Sequence, residues 1–170
     1  MAYFEINNLK ITHRSFEGVK TVLDIEHLAI EKGETYGLIG ESGQGKTVLA
    51  LAIQQLLRCP PGKFESGEIF LDGENLLSFS PKQMRRNIRG RKIAMIFQDP
   101  MSCLNPVFRV GTIMSDVLHE HNKGMSKKDV RRRAVELLEE VKLADAESVM
   151  SKYPHQLSGG QRQRVIIALA

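Results

Sequence analysis

The stretch Gly40-Glu41-Ser42-Gly43-Gln44-Gly45-Lys46-Thr47 constrains this chain more than any other part of it. Before it, Thr35-Tyr36-Gly37-Leu38-Ile39 is a short apolar run that predicts a buried strand. After it, helix formers run from Thr47 to Leu57 and stop at Cys59-Pro60-Pro61-Gly62. Strand, glycine-rich loop and helix in that order predict an α/β fold. The loop fits G-x-x-x-x-G-K-[ST] at every fixed position. Glycines let the backbone curl until successive N–H groups converge on phosphate oxygens, and the following helix adds its positive end. Lys46 brings a full charge to the place where β- and γ-phosphates would lie. Thr47 offers a hydroxyl oxygen to Mg²⁺, which prefers oxygen ligands and keeps several waters. The loop therefore predicts binding of a nucleotide, MgATP first, rather than a turn that merely joins two elements.

Around this loop the rest of the chain divides by texture. Residues 2–8 and 22–30 alternate apolar and polar side chains and predict two strands, antiparallel to one another. Gly67–Asp72 closed by an Asp-Gly turn and Ile93–Phe97 predict two more. Beyond Asp99-Pro100 the pattern turns helical, from about Gly111 to His121 and from Ser126 to Val141, with Ser126 and Asp129 as a capping pair. Arg85, Arg86, Arg89, Arg91 and Lys92 cluster without interleaved aromatics, which predicts a solvated basic face rather than a nucleic-acid surface. Lys127, Lys128, Arg131, Arg132 and Arg133 fall between apolar positions as on the outer side of an amphipathic helix. No apolar run approaches the roughly 20 residues that cross a bilayer, and the start lacks the plan of a secretory signal, so the expected compartment is the cytosol. Cys59 and Cys103 show no metal or disulfide spacing and are expected to be free thiols. The net charge of +4 suits an anionic ligand without requiring one.

Two further segments narrow the function. Leu157-Ser158-Gly159-Gly160-Gln161 resembles the signature motif of ABC transporter ATPases, and Gln98 in Ile96-Phe97-Gln98-Asp99-Pro100 resembles their Q-loop. The segment Gln98–Pro106, with Tyr153-Pro154-His155-Gln156, is similar to the oligopeptide, dipeptide and nickel importer branch of that family, apart from Cys103 where a serine is expected. By resemblance the fold is a P-loop NTPase core with an antiparallel β subdomain and an inserted α-helical subdomain, C-terminally incomplete. Residues 1–98 would form the core with the β subdomain and phosphate loop, 99–158 the helical subdomain, and 159–170 a signature helix returning to the core. The resemblance implies ATP and Mg²⁺ as cofactors, Lys46 and Gln98 as the catalytic pair, and Thr47 and Gln98 at the metal. Gln98 would also contact the attacking water and sense the γ-phosphate. The signature residues would meet ATP held by a second ABC ATPase subunit in a head-to-tail dimer. Phe16 is either the adenine-stacking aromatic of the family or an ordinary phenylalanine; His155 has no expected catalytic role.

The same resemblance implies transmembrane permease subunits as partners, with the helical subdomain and Q-loop as the coupling surface. It also implies an extracytoplasmic solute-binding protein engaged indirectly, no nucleic acid, and a peripheral place on the cytoplasmic face of the cell membrane. The family pattern continues past Ala170 with an Asp-Glu strand end and a histidine loop that this sequence does not contain. From the sequence, then, this polypeptide is expected to bind nucleotide better than it hydrolyses it and to be only marginally stable alone. Two rivals remain: a soluble ABC-type ATPase acting on nucleic acid or ribosomes, against which the lack of sustained heptads between Thr47 and Leu157 counts, and a non-hydrolysing truncated regulator.

Overall fold

The computed structural model describes residues 2–99 and 103–170. Pro100, Met101 and Ser102 of the importer-like segment therefore lie outside the described residues. The chain divides into two compact units, Met1–Ile93 and Ala94–Ala170.

In the first unit, strands β1 (Phe4–Ser15), β2 (Gly18–Ile30), β3 (Gly62–Leu71) and β4 (Glu74–Asn75) form an antiparallel sheet in the order β2-β1-β3-β4. The expected pairing of the first two strands is present in a longer hairpin, running from Phe4 opposite Ile30 to Ser15 opposite Gly18. Alternation along β1 changes phase: Phe4 and Ile6 are buried, then Leu9 and Ile11. Asn8 absorbs the change with a φ of 48°, and the register with β3 shifts between Asn7 and Lys10. This bulge brings all four side chains into one core, where a regular strand would have sent the second pair to solvent. Gly67 makes it sterically possible: at its φ of 108°, a Cβ would lie 2.4 Å from the Cα of Leu9.

Helix α1 (Lys46–Ile53) buries Leu49 and Ala52 in the same core, with Leu23, Ile69, Leu71, Met84 and Ile88. It stops short of the expected Leu57 because Gln55 turns left-handed at φ 50° and spends its side-chain amide on the carbonyls of Leu76 and Phe79. Arg89 then closes the helix end, donating from Nε to the Gln54 carbonyl and from Nη2 to the Gln55 carbonyl, both at 2.8 Å. A cation at this negative end is favourable. Of the basic cluster, Arg85, Arg86, Arg91 and Lys92 are exposed as on the expected solvated face, Lys92 pairing there with Glu74 at 2.6 Å, and the half-buried Arg89 is the departure, clamping the helix end. Helix α2 (Pro81–Gln83), capped by Ser80, leads into the π turn Met84–Ile88 that carries part of this cluster.

Two expected strands are corrected. Thr35–Ile39 and Ile93–Phe97 are irregular, with Tyr36, Leu38, Ile39, Ile96 and Phe97 exposed. An apolar run becomes a strand only when a neighbour takes up its backbone N–H and C=O groups. Among the described residues no strand pairs with either run, and Ile93 has one isolated parallel bridge to Arg89.

The second unit is helical: α3 (Val110–His121), α4 (Lys127–Glu140), α5 (Ala146–Ser151) and α6 (Gly159–Leu169). Val110, Met114 and Leu118 on α3 meet Val130, Ala134 and Leu138 on α4, each set spaced by four residues as a helix core stripe requires. Ser126 caps α4 as expected, its Oγ accepting the Asp129 N–H at 3.2 Å. The basic side chains of α4 are interleaved with acids, Arg132 with Asp129 and Arg133 with Glu140 among them. Gly111 lets α3 approach α5, since a Cβ there would stand 2.7 Å from the Met150 carbonyl oxygen. Among the described residues no helix is long and apolar enough to cross a membrane, and both cysteines are exposed free thiols.

Candidate functional site

The loop Gly40–Thr47 lies in the first unit, between the irregular run Thr35–Ile39 and α1. Gly43 and Gly45 take φ values of 85° and 87°, a region that costs any other residue strain. Gly45 is also pressed against β2: a Cβ would come within 2.5 Å of the Val22 carbonyl oxygen and 3.2 Å of Leu23 Cδ1. The second glycine of the pattern is therefore demanded twice, by dihedral and by neighbour.

That same glycine is the N-cap of α1. It offers no side-chain acceptor, and the first turn contains no acidic residue. The orphan N–H groups at this end thus meet no side-chain cap, and the positive end of the helix dipole is uncompensated. Lys46 points its ammonium back along the loop, donating to the carbonyls of Gly40 and Glu41 at 2.6 Å each, which leaves one of its three protons unused. Gln44 accepts the Glu41 N–H on its side-chain oxygen at 3.1 Å. Ser42 and Thr47 are exposed. Beside these groups is a cavity of about 340 Å³ whose walls include Val22, Leu23 and Asp24 of β2, with Ile39, Gly45 and Lys46. Alternation marks β2 as a strand but carries no record of which loop a strand faces, so its share in this wall is legible only in three dimensions.

This donor set fits an anion. Uncompensated amides, an ammonium and glycine-permitted backbone curvature have no use for a neutral ligand, and a carboxylate on the first turn would spoil them. For a divalent cation the fit is narrower. Among the described residues no cluster of three or more His, Cys, Asp or Glu side chains exists, so a metal here would depend on the Thr47 hydroxyl, ligand oxygens and water, the pattern that suits Mg²⁺.

Phe16 sits in the turn between β1 and β2, fully exposed, and does not line the cavity beside the loop. Gln98 lies in the second unit, exposed and outside any helix or strand.

The signature residues open α6 in that second unit. Leu157 is 4% exposed and anchors the turn in the helical core. Ser158 accepts the Gln161 N–H on Oγ at 3.2 Å, and Gln161 answers by accepting the Ser158 N–H on Oε1 at 2.9 Å, a complete capping box. Gly159 and Gly160 are exposed, and a Cβ at either would meet nothing within 4 Å. Among the described residues of the unit, nothing demands glycine there. Ahead of this turn, His155 is exposed and stacked on Tyr153, ring centroids 5.6 Å apart at 9°, with the Arg109 guanidinium 5.4 Å from the Tyr153 ring.

Compared with known proteins, residues 23–170 match the family described as ABC transporter. This chain belongs to the ABC transporter family. The match begins in β2 and takes in the phosphate loop, Gln98 and the signature turn. Among curated relatives, this ABC chain is 44% identical over 166 residues to the oligopeptide transport ATP-binding protein OppD of Bacillus subtilis, covering 98% of the chain and 46% of OppD. It is 46% identical over 168 residues to the probable D,D-dipeptide transport ATP-binding protein DdpD of Escherichia coli, covering 98% of the chain and 50% of DdpD. The ABC chain thus spans about half the length of these relatives. Among solved structures it resembles the dimeric post-hydrolysis state of the ATP-binding cassette MJ0796 bound to ADP and Pi, with a TM-score of 0.80, 27% identity, and coverage of 98% of this chain and 68% of that one.

Proposed function

We propose that this chain binds MgATP at Gly40–Thr47 and belongs to the ATP-binding subunit of an importer that couples ATP binding and hydrolysis to uptake of peptides or nickel. The observation that carries the proposal is the start of α1, where an uncapped helix end, a left-handed Gly45 and the Lys46 ammonium occur together. Its membership of a family whose relatives include peptide-transport ATP-binding proteins supports the cargo class.

In this reading the loop amides and the Lys46 ammonium hold the β- and γ-phosphates. Thr47 would offer a ligand to Mg²⁺ and Gln98 is the second residue that would hold it; when bound, the ion would offset phosphate charge and draw electron density from the γ-phosphoryl group. Gln98 also orients the attacking water. Phe16, exposed at its hairpin turn, is free to stack on adenine. Leu157–Gln161 completes the site of a second subunit in a head-to-tail dimer. There the open Gly159 and Gly160 allow another chain's phosphates to approach the α6 backbone, and the Ser158 box keeps that turn in shape. Permease subunits on the cytoplasmic face of the membrane receive the motion, and a solute-binding protein acts on the other side.

The test is nucleotide titration by calorimetry. Lys46→Ala removes a charge-assisted donor and is expected to weaken MgATP binding by about 10- to 100-fold. Unchanged affinity would sink the assignment.

A further inference from the structure

Helix α1 follows the phosphate loop directly, yet its own sequence does little to hold its two ends. It is 8 residues long, with no side-chain cap at its start and no basic residue in its last turn. A helix this short does not persist by itself in water. The restraint at its far end is imported from another part of the first unit. Arg89 donates from Nε to the Gln54 carbonyl and from Nη2 to the Gln55 carbonyl, both at 2.8 Å. One guanidinium thus spans two successive carbonyls, and its charge meets the negative end of the helix. Arg89 rises from an anchored backbone: its own N–H donates to the Met84 carbonyl at 2.9 Å, and Met84 and Ile88 are fully buried. Arg85, Arg86, Arg91 and Lys92 around it are exposed, whereas Arg89 is half-buried.

We propose that Arg89 is a positioning residue for the phosphate site: by clamping the far end of α1 it holds the first-turn N–H groups and Lys46 in place for a phosphate. The inference rests on the phosphate-loop function proposed above and deepens it. At 1.5 Å per residue α1 is about 12 Å long, so Arg89 acts through the helix rather than on the ligand. Within the helix only Leu49 and Ala52 are buried. A short helix freed at one end frays, and donors ordered for only part of the time bind with an affinity reduced by that fraction. Clamp and phosphate favour the same ordered helix from opposite ends. By linkage, each then strengthens the other by an equal factor.

The experiment joins calorimetric titration with a non-hydrolysable MgATP analogue to amide hydrogen exchange, on wild type, Arg89→Met, Arg89→Lys, Arg91→Met and Lys46→Ala. Urea unfolding checks that each variant is folded. Arg91→Met removes a neighbouring exposed cation and controls for charge. Arg89→Lys keeps the charge but loses the fork that spans two carbonyls. Arg89→Met is expected to weaken binding by about 5- to 20-fold, within the usual range of coupling between sites, and Arg89→Lys by a smaller factor. Arg91→Met should bind as wild type. Without nucleotide, exchange in Arg89→Met should quicken in the first turn of α1 and not in β1 or β3, and saturating nucleotide should slow it again. Wild-type affinity in either Arg89 variant, an equal loss in Arg91→Met, or an exchange rise shared by β1 and β3 overturns the inference. Failure of both Arg89 variants to fold overturns it too, since Arg89 would then serve the fold alone. If Lys46→Ala loses binding while the Arg89 variants match wild type, the inference fails alone. If wild type itself binds no nucleotide, the functional reading fails and the inference with it.

Discussion

Two helices in this protein begin at glycine-rich turns, and they begin in opposite ways. At the start of α1, Gly45 is fixed by a left-handed φ and by the Val22 carbonyl behind it, while no side chain caps the helix. At the start of α6, Ser158 and Gln161 cap the helix reciprocally, while Gly159 and Gly160 face open space. The first turn is built from within and gives its helix no side-chain cap. The second satisfies two of its donors itself and keeps only a bare backbone surface. The contrast teaches that a glycine can be demanded by its own surroundings or left without any steric demand from them, and that the sequence pattern alone does not distinguish the two.

Substitutions put the contrast at risk in order of size. Gly45→Ala forces a Cβ onto a backbone oxygen 2.5 Å away at a φ of 87°, and should cost about 2–4 kcal/mol in urea unfolding, with loss of nucleotide binding. A cost under half a kcal/mol would show that β2 does not hold the loop. Ser158→Ala removes one member of the capping box and is expected to cost about 1 kcal/mol in the same measurement, leaving nucleotide affinity untouched. If affinity falls too, the two turns are not independent. Gly160→Ala meets nothing and should stay within about 0.5 kcal/mol of wild type. A large destabilisation there would mean that the second turn is demanded by its own unit after all.

The sequence carried the local decisions well. Alternation revealed the β1–β2 hairpin, the Ser126 cap was visible four residues before Val130, and the loop pattern marked both Gly45 and Lys46. What it did not carry depends on partners distant in sequence. The shift of alternation at Asn8 is resolved by Gly67 across the sheet, and α1 ends early where Gln55 turns left-handed onto the Leu76 and Phe79 carbonyls and Arg89 reaches back to close the end. Thr35–Ile39 reads as a strand by composition, yet strand formation needs a neighbour that composition cannot name. In the site the same limit appears: the pattern identified the loop, whereas the β2 wall and the Gln44 bond to Glu41 emerge only in three dimensions.

One measurement separates the two turns most directly: sedimentation velocity of wild type and Ser158→Arg with a non-hydrolysable MgATP analogue, alongside nucleotide titration at concentrations where the protein is monomeric. A bulky cation in the open α6 turn should abolish nucleotide-dependent pairing while monomer affinity remains that of wild type. Pairing that survives Ser158→Arg, or an equal loss of monomer affinity, would contradict the assignment of the first turn to nucleotide capture and the second to a partner's site.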